Sequence, residues 1–134
     1  MFPANTKVLV VDDMKTMRKI VIKSLKDIGF SDITDADDGE TAWPLIEQAA
    51  AATPFQLIIS DWNIPKLKGI DLLRKVRGHA TAKNTPFILL TAETEKTKII
   101  EAIQAKVNNY ITKPFTADTL KEKLLATWKS INKA

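Results

Sequence analysis

Five short apolar runs alternating with five segments of helical periodicity predict an α/β fold: a single doubly wound (βα)5 sandwich, with a parallel five-stranded sheet covered by helices on both faces. Two observations carry that reading. The runs at Lys7–Val11, Leu57–Ile59 and Pro86–Thr91 are apolar throughout rather than alternating, which is the pattern of strands buried on both sides. The alternation also uses all 134 residues without a repeat, linker or low-complexity tract, so residues 1–134 are expected to form one domain.

Each element has its own signal. Lys7–Val11 is rich in β-branched residues and runs straight into Asp12-Asp13. From Met14 to Ile28 the residues Met17, Ile20, Val21, Ser24, Leu25 and Ile28 share one helical face, and Gly29 is the stop. A weaker strand follows at Ile33–Ala36. Asp38-Gly39 opens a helix running towards Ala52, in which Pro44 is awkward. If Asp38 caps, Pro44 removes a hydrogen bond past the first turn; if Thr41 caps, it sits near the start. Thr53-Pro54 breaks the chain before the third strand.

Gly69 to Arg77 repeats the helical pattern through Ile70, Leu72, Leu73 and Val76, with Gly78 as the stop, and His79 to Thr85 is polar loop. Pro86–Thr91 is the fourth strand. Thr94 to Lys106 reads as a helix with Ile99, Ile100, Ala102 and Ile103 inward, and Asn109–Thr112 as a short fifth strand ending at Lys113-Pro114. Thr116 caps a last helix through Leu120, Leu124, Leu125, Trp128 and Ile131.

Composition narrows the function classes. Hydrophobic content of 45% and charged content of 27% describe an ordinary globular chain. No apolar run reaches the length of a membrane span, the N-terminus has no signal-peptide core, and the absence of cysteine excludes disulfides and thiol chemistry. A cytoplasmic location is expected, without membrane association. The net charge of +4 is uneven: residues 1–67 carry 7 Lys/Arg against 10 Asp/Glu, and residues 68–134 carry 13 against 6. No basic run interleaved with aromatics accompanies this, so nucleic acid is not an expected partner. A basic second half suits an acidic protein partner.

The chemistry gathers at the carboxyl ends of the strands, where open α/β sheets bind ligands. The first strand ends in Asp12 and Asp13, the third in Asp61, the fourth in Thr91 and the fifth in Lys113. Singly, each has an ordinary explanation: a helix cap, a turn former before Pro65, a surface lysine. Together they have a chemical logic. Clustered carboxylates need a cation, and oxygen ligands without His or Cys suit Mg²⁺. A lysine and a hydroxyl facing the same point serve a phosphoryl group, for which aspartate is a covalent acceptor.

The ordered set Asp12-Asp13, Ser60-Asp61-Trp62-Asn63-Ile64-Pro65, Thr91-Ala92-Glu93 and Tyr110 with Lys113-Pro114-Phe115 resembles two-component receiver domains, and the chemotaxis type in particular, from about Lys7 to Trp128. The resemblance implies the flavodoxin-like strand order 2-1-3-4-5 and no output domain. It implies Asp61 as phosphoacceptor and Mg²⁺ held by Asp13, Asp61 and the Asn63 backbone carbonyl, with Asp12 acting through water. Lys113 would pair with Asp61 or its phosphoryl group, and Thr91 would bind the phosphoryl group and let the Tyr110 ring turn inward. The implied partners are a histidine kinase as phosphodonor, a phosphatase, and the flagellar motor switch protein, docking on a face that includes Lys96, Tyr110 and Lys123. The implied protein is a monomeric switch rather than an enzyme.

Three features depart from that pattern: Lys68 before Gly69, the run Lys106-Val107-Asn108-Asn109 in place of a glycine-containing turn, and Pro44. The lone His79 reads as exposed and without a role. Trp62 reads as partly buried and a reporter of metal and phosphate, and Trp43 and Trp128 read as packing residues. Alternatives remain: a phosphorelay intermediate, a receiver for a non-flagellar partner, and a Mg²⁺-dependent phosphohydrolase. The last is disfavoured because the first strand lacks Asp-x-Asp and the chain has no substrate cap. A flavodoxin-like cofactor binder would want a hydroxyl- and glycine-rich loop where Asp12-Asp13 stands.

Overall fold

The computed structural model of the protein describes residues 1–92 and 96–132, the Lys96 side chain excepted. In chain order the elements are β1 (Lys7–Val11), α1 (Lys15–Ile28), β2 (Asp32–Ala36), α2 (Gly39–Ala50), β3 (Leu57–Asp61), α3 (Gly69–Gly78), β4 (Phe87–Thr91), α4 (Lys96–Gln104), β5 (Asn109–Thr112) and α5 (Ala117–Ile131). The strands form one parallel sheet in the order β2-β1-β3-β4-β5. This is the expected doubly wound arrangement.

Strand geometry explains the continuous apolar runs. Successive side chains point to opposite faces. Leu9, Val11, Ile58 and Leu89 therefore meet Ala42, Ile46, Leu72, Val76 and Ala102 on one side. Val8, Val10, Leu57, Ile59, Ile88 and Leu90 meet Val21, Leu25, Leu120 and Leu124 on the other. One layer is thus α2, α3 and α4, and the other is α1 and α5.

The structure corrects several helical details. Asp38 is the cap of α2, its Oδ1 accepting from the Thr41 N–H at 2.6 Å. Pro44 consequently lies inside the helix and leaves the Glu40 carbonyl without its usual donor. Both residues are exposed, so water can replace that donor. Ile20, Leu125 and Ile131 stand at the margins of their apolar stripes and are exposed. On α4, Ala102 is buried and Ile99 half-buried as expected, but Ile100 and Ile103 are exposed. The expected start of this helix at Thr94 falls among residues 93–95, outside those described.

His79 is half-buried rather than idle. Its Nδ1 accepts from the backbone N–H groups of Thr81 and Ala82, both at 3.1 Å, and its ring meets Trp43 edge-on at 5.8 Å. Arg77 braces the same end of the sheet. Its guanidinium donates to the carbonyls of Lys83, Thr85 and Lys106 and to Asn108 Oδ1 at 2.7 to 3.1 Å, and burial lowers its pKa. Asn108 also accepts from the Phe87 N–H at 2.8 Å, fixing the start of β4 against β5.

The unusual run at 106–109 is thus built into the fold. Lys106 N–H bonds Ile103 O and Val107 N–H bonds Ala102 O, a Schellman closure of α4 with Lys106 at φ +66. Gly29 closes α1 in the same way at φ +128. A lysine pays a steric cost for the left-handed conformation that glycine avoids. Lys106→Gly is expected to stabilise the chain by about 1 kcal/mol. Thermal melts should show a rise of about 3 °C, and an unchanged or lower melting temperature would contradict the assignment.

Candidate functional site

Register brings the predicted residues together. Val11 lies opposite Ser60, so Asp12, the next residue, stands beside Asp61. Asp61 lies opposite Leu90, one residue before Thr91, and Thr91 lies opposite Thr112, one before Lys113. The helices cross over on the faces of the sheet, leaving this rim open.

The carboxylates of Asp12, Asp13 and Asp61 each place an oxygen within 4.8 Å of the others. Asp12 is fully buried and Asp61 is 6% exposed, while Asp13 faces solvent. The Lys113 ammonium lies 3.1 Å from Asp61 Oδ2 and 3.5 Å from Asp12 Oδ2. Asp12 Oδ1 accepts from the Met14 N–H at 2.9 Å, so the helix-capping explanation accounts for one oxygen and leaves the other in the cluster. Burial pushes the Asp12 carboxyl up, opposed by the Met14 N–H and the Lys113 charge and reinforced by the Asp61 charge.

The donor set fits a hard divalent cation. Three oxygen-bearing acids converge without imidazole or thiolate, and the exposed one leaves room for water ligands. Thr91 is buried at the same rim, and its carbonyl accepts the Lys113 N–H at 2.8 Å. Asn63 lies two residues beyond Asp61 in the exposed loop, and Ala92 is exposed beside Thr91. Lys68 caps the start of α3 through its backbone, with its side chain in solvent.

The other predicted residues divide between the rim and the α4–β5–α5 side. Tyr110 is half-buried on β5, and the Lys123 ammonium lies over its ring at 5.3 Å from the centroid. Lys96 opens α4, but its side chain lies outside the described residues. Trp62 is more buried than expected, at 2% exposure.

Several supporting residues escaped the sequence reading. Arg18 on α1 donates to the Asp12 carbonyl at 2.7 Å and to Asp35 Oδ2 at 2.8 Å, although helical periodicity had placed it outward. Gly69 lies so close to β3 that a Cβ there would come within 2.2 Å of the Asp61 carbonyl oxygen. Gly39 abuts Leu67 in the same way. These two glycines let the starts of α2 and α3 clamp the 62–68 loop.

Comparison with known proteins agrees with this geometry. Residues 8–125 match the response regulator receiver domain model, and the chain belongs to that family. It is 49% identical over 120 residues to chemotaxis protein CheY-3 of Vibrio cholerae, covering 90% of this chain and 89% of that protein. It is 45% identical over 126 residues to chemotaxis protein CheY of Pseudomonas aeruginosa, covering 94% and 98%. Within the receiver family the chain therefore belongs to the CheY group. Among solved structures, Vibrio cholerae CheY4 superposes with a TM-score of 0.82 at 33% identity, covering 92% of this chain and 98% of that one. The receiver domain of the Pseudomonas aeruginosa sensor histidine kinase PA1611, solved with magnesium coordinated in its active-site cleft, gives 0.78 at 26% identity, covering 95% and 99%.

The buried Asp12 has a consequence for stability. Its raised pKa means that the folded chain holds this proton more tightly than the unfolded chain. Metal-free stability from this group is therefore greatest at low pH and falls as pH rises from the ordinary carboxylate value through the raised one. Asp12→Asn keeps an oxygen for the Met14 N–H and buries no charge. Urea midpoints measured without metal should favour Asp12→Asn over the wild type increasingly as pH rises above the ordinary carboxylate value; parallel curves would refute the assignment.

Proposed function

We propose that this chain is a chemotaxis response regulator in which Asp61 accepts a phosphoryl group from a histidine kinase and the phosphorylated form docks on the flagellar motor switch. The observation that carries the reading is the convergence of Asp12, Asp13 and Asp61 within 4.8 Å beside the Lys113 ammonium. The CheY relatives support the chemotaxis assignment. The PA1611 receiver supports magnesium as the cation.

Asp13, Asp61 and the Asn63 carbonyl would hold Mg²⁺ directly and Asp12 through water. When bound, the ion neutralises charge on the transferring phosphoryl oxygens. An Asp61 carboxylate oxygen attacks phosphorus as the bond to the donor's imidazole nitrogen breaks, and the electron pair of that bond stays with the imidazole. Gly69 and the paired strands hold the Asp61 backbone still during the attack. Before transfer, Lys113 offsets the buried negative charge of Asp12 and Asp61; afterwards it faces the new phosphoryl oxygens. The Thr91 hydroxyl donates to one of these oxygens.

The switch then passes outward. Movement of Thr91 makes room for the half-buried Tyr110 ring, which sits beneath Lys123, and reshapes the face made by α4, β5 and α5. Lys96, Tyr110 and Lys123 would meet the motor component there, in the basic half of the chain. The chemistry stays on the protein's own side chain, and a phosphatase would shorten the signal. The protein works as a cytoplasmic monomer; among the described residues no helix is long and apolar enough to cross a membrane.

Acetyl phosphate with Mg²⁺ should label the wild type and leave Asp61→Asn at background, and chelation of the metal should also remove the label. Label retained on Asp61→Asn would refute the acceptor assignment. A beryllofluoride mimic should raise affinity for the motor switch protein by about 5- to 150-fold, the usual range of coupling between two sites. Equal affinities with and without it would refute the docking assignment.

A further inference from the structure

The described side chains of α4 bury little apolar surface. Of its described side chains only Ala102 is buried, while Ile100 and Ile103 are 51% and 60% exposed. Glu101 meets Arg74 of α3 at 2.8 Å, and Arg74 also reaches Asp71 at 3.0 Å. Those partners are well exposed, and such pairs hold weakly. The contact made by Lys98 is of another kind. Its ammonium lies 5.1 Å from the centroid of the Trp62 ring, and Trp62 is 2% exposed. An ammonium over a buried indole is desolvated on one side, where cation–π attraction is strongest.

Trp62 also directly follows Asp61. Its backbone is fixed on both sides: its N–H donates to Leu90 O at 2.8 Å, and its carbonyl accepts the Gly69 N–H at 3.0 Å. α4 therefore meets the segment that follows Asp61 through the buried Trp62 ring, and these backbone bonds tie that ring's residue to β4 and to the start of α3. We propose that Lys98 is a positioning residue that sets where α4 sits against the acceptor segment, acting through the Trp62 ring. The placement of α4 and the reactivity of Asp61 are then linked by a contact separate from Thr91 and Tyr110. The reactivity half rests on the reading of Asp61 as acceptor; the placement half does not. The plainer explanation is that the lysine stem merely covers the ring.

The experiment uses the full chain with Lys98→Gln, Lys98→Met and Lys98→Arg. Met keeps the stem without the charge, and Arg keeps the charge. Amide hydrogen exchange over residues 99–104 should accelerate about 2- to 30-fold in the Gln and Met variants, the range a cation–π contact spans. Exchange in α1 should not change, and the Arg variant should resemble wild type. Labelling by acetyl phosphate at saturating Mg²⁺ should change its rate in the Gln and Met variants without a change in the Mg²⁺ midpoint.

Wild-type exchange in Lys98→Met would reduce the contact to packing and overturn the proposal, as would an Arg variant resembling Gln. Faster exchange with an unchanged labelling rate would overturn the link to Asp61. Repeating the exchange measurement in an Asp61→Asn background separates the two readings. Label on Asp61→Asn strikes the acceptor assignment, whereas unaltered α4 exchange strikes Lys98.

Discussion

Two acids on neighbouring strands, Asp12 and Asp61, face one another in a place that water scarcely reaches, and one ammonium offsets both. Ionised groups so buried are costly unless paired. Lys113 pairs with both, which it can do because Thr112 lies opposite Thr91 and puts Lys113, the next residue, at the same rim. Much of the nearby structure serves this arrangement. Arg18 holds the Asp12 backbone, the Met14 N–H takes one Asp12 oxygen, and Gly69 lets α3 begin against the Asp61 carbonyl. The site is thus electrostatically poised: it tolerates its own repulsion through one lysine and stands ready for a cation or a phosphoryl group.

The helical layers divide the work. α1 and α5 are anchored by Val21, Leu25, Leu120 and Leu124, which lock into the side of the sheet lined by Val8, Val10 and Ile59. Of its described side chains α4 has only Ala102 fully seated, and it leaves two isoleucines in water. A thinly anchored helix beside a rigid site is what a switch needs, since the element that moves must come from the less stable part of a fold. The carboxyl end of α4 is nevertheless tied down: it closes on Lys106, whose carbonyl accepts from Arg77.

Much of this was legible beforehand. The strands announced themselves because burial on both faces demands unbroken apolar runs, and the acids and the lysine at the strand ends cluster because a parallel sheet presents those ends on one edge. Helix faces were less legible. Periodicity placed Ile100 and Ile103 inward, but it cannot report how wide a groove the neighbouring helices leave. His79 read as idle for a similar reason, since a lone histidine in a polar loop shows nothing of the two N–H groups that the chain later folds back onto it.

Local sequence by itself determined the α/β alternation, the acid pair, the Asp61 segment and the lysine, because each is a matter of residue type at a strand end. Tertiary structure decided the rest. Which Asp12 oxygen caps and which joins the cluster, how one ammonium serves two acids, why Gly69 has no room for a side chain, and where Lys98 rests all depend on distances between segments far apart in the chain. Packing contacts and hydrogen bonds act only over a few ångströms, and charge pairs strengthen as they approach, so these effects become visible only once register and helix crossover have brought those segments together.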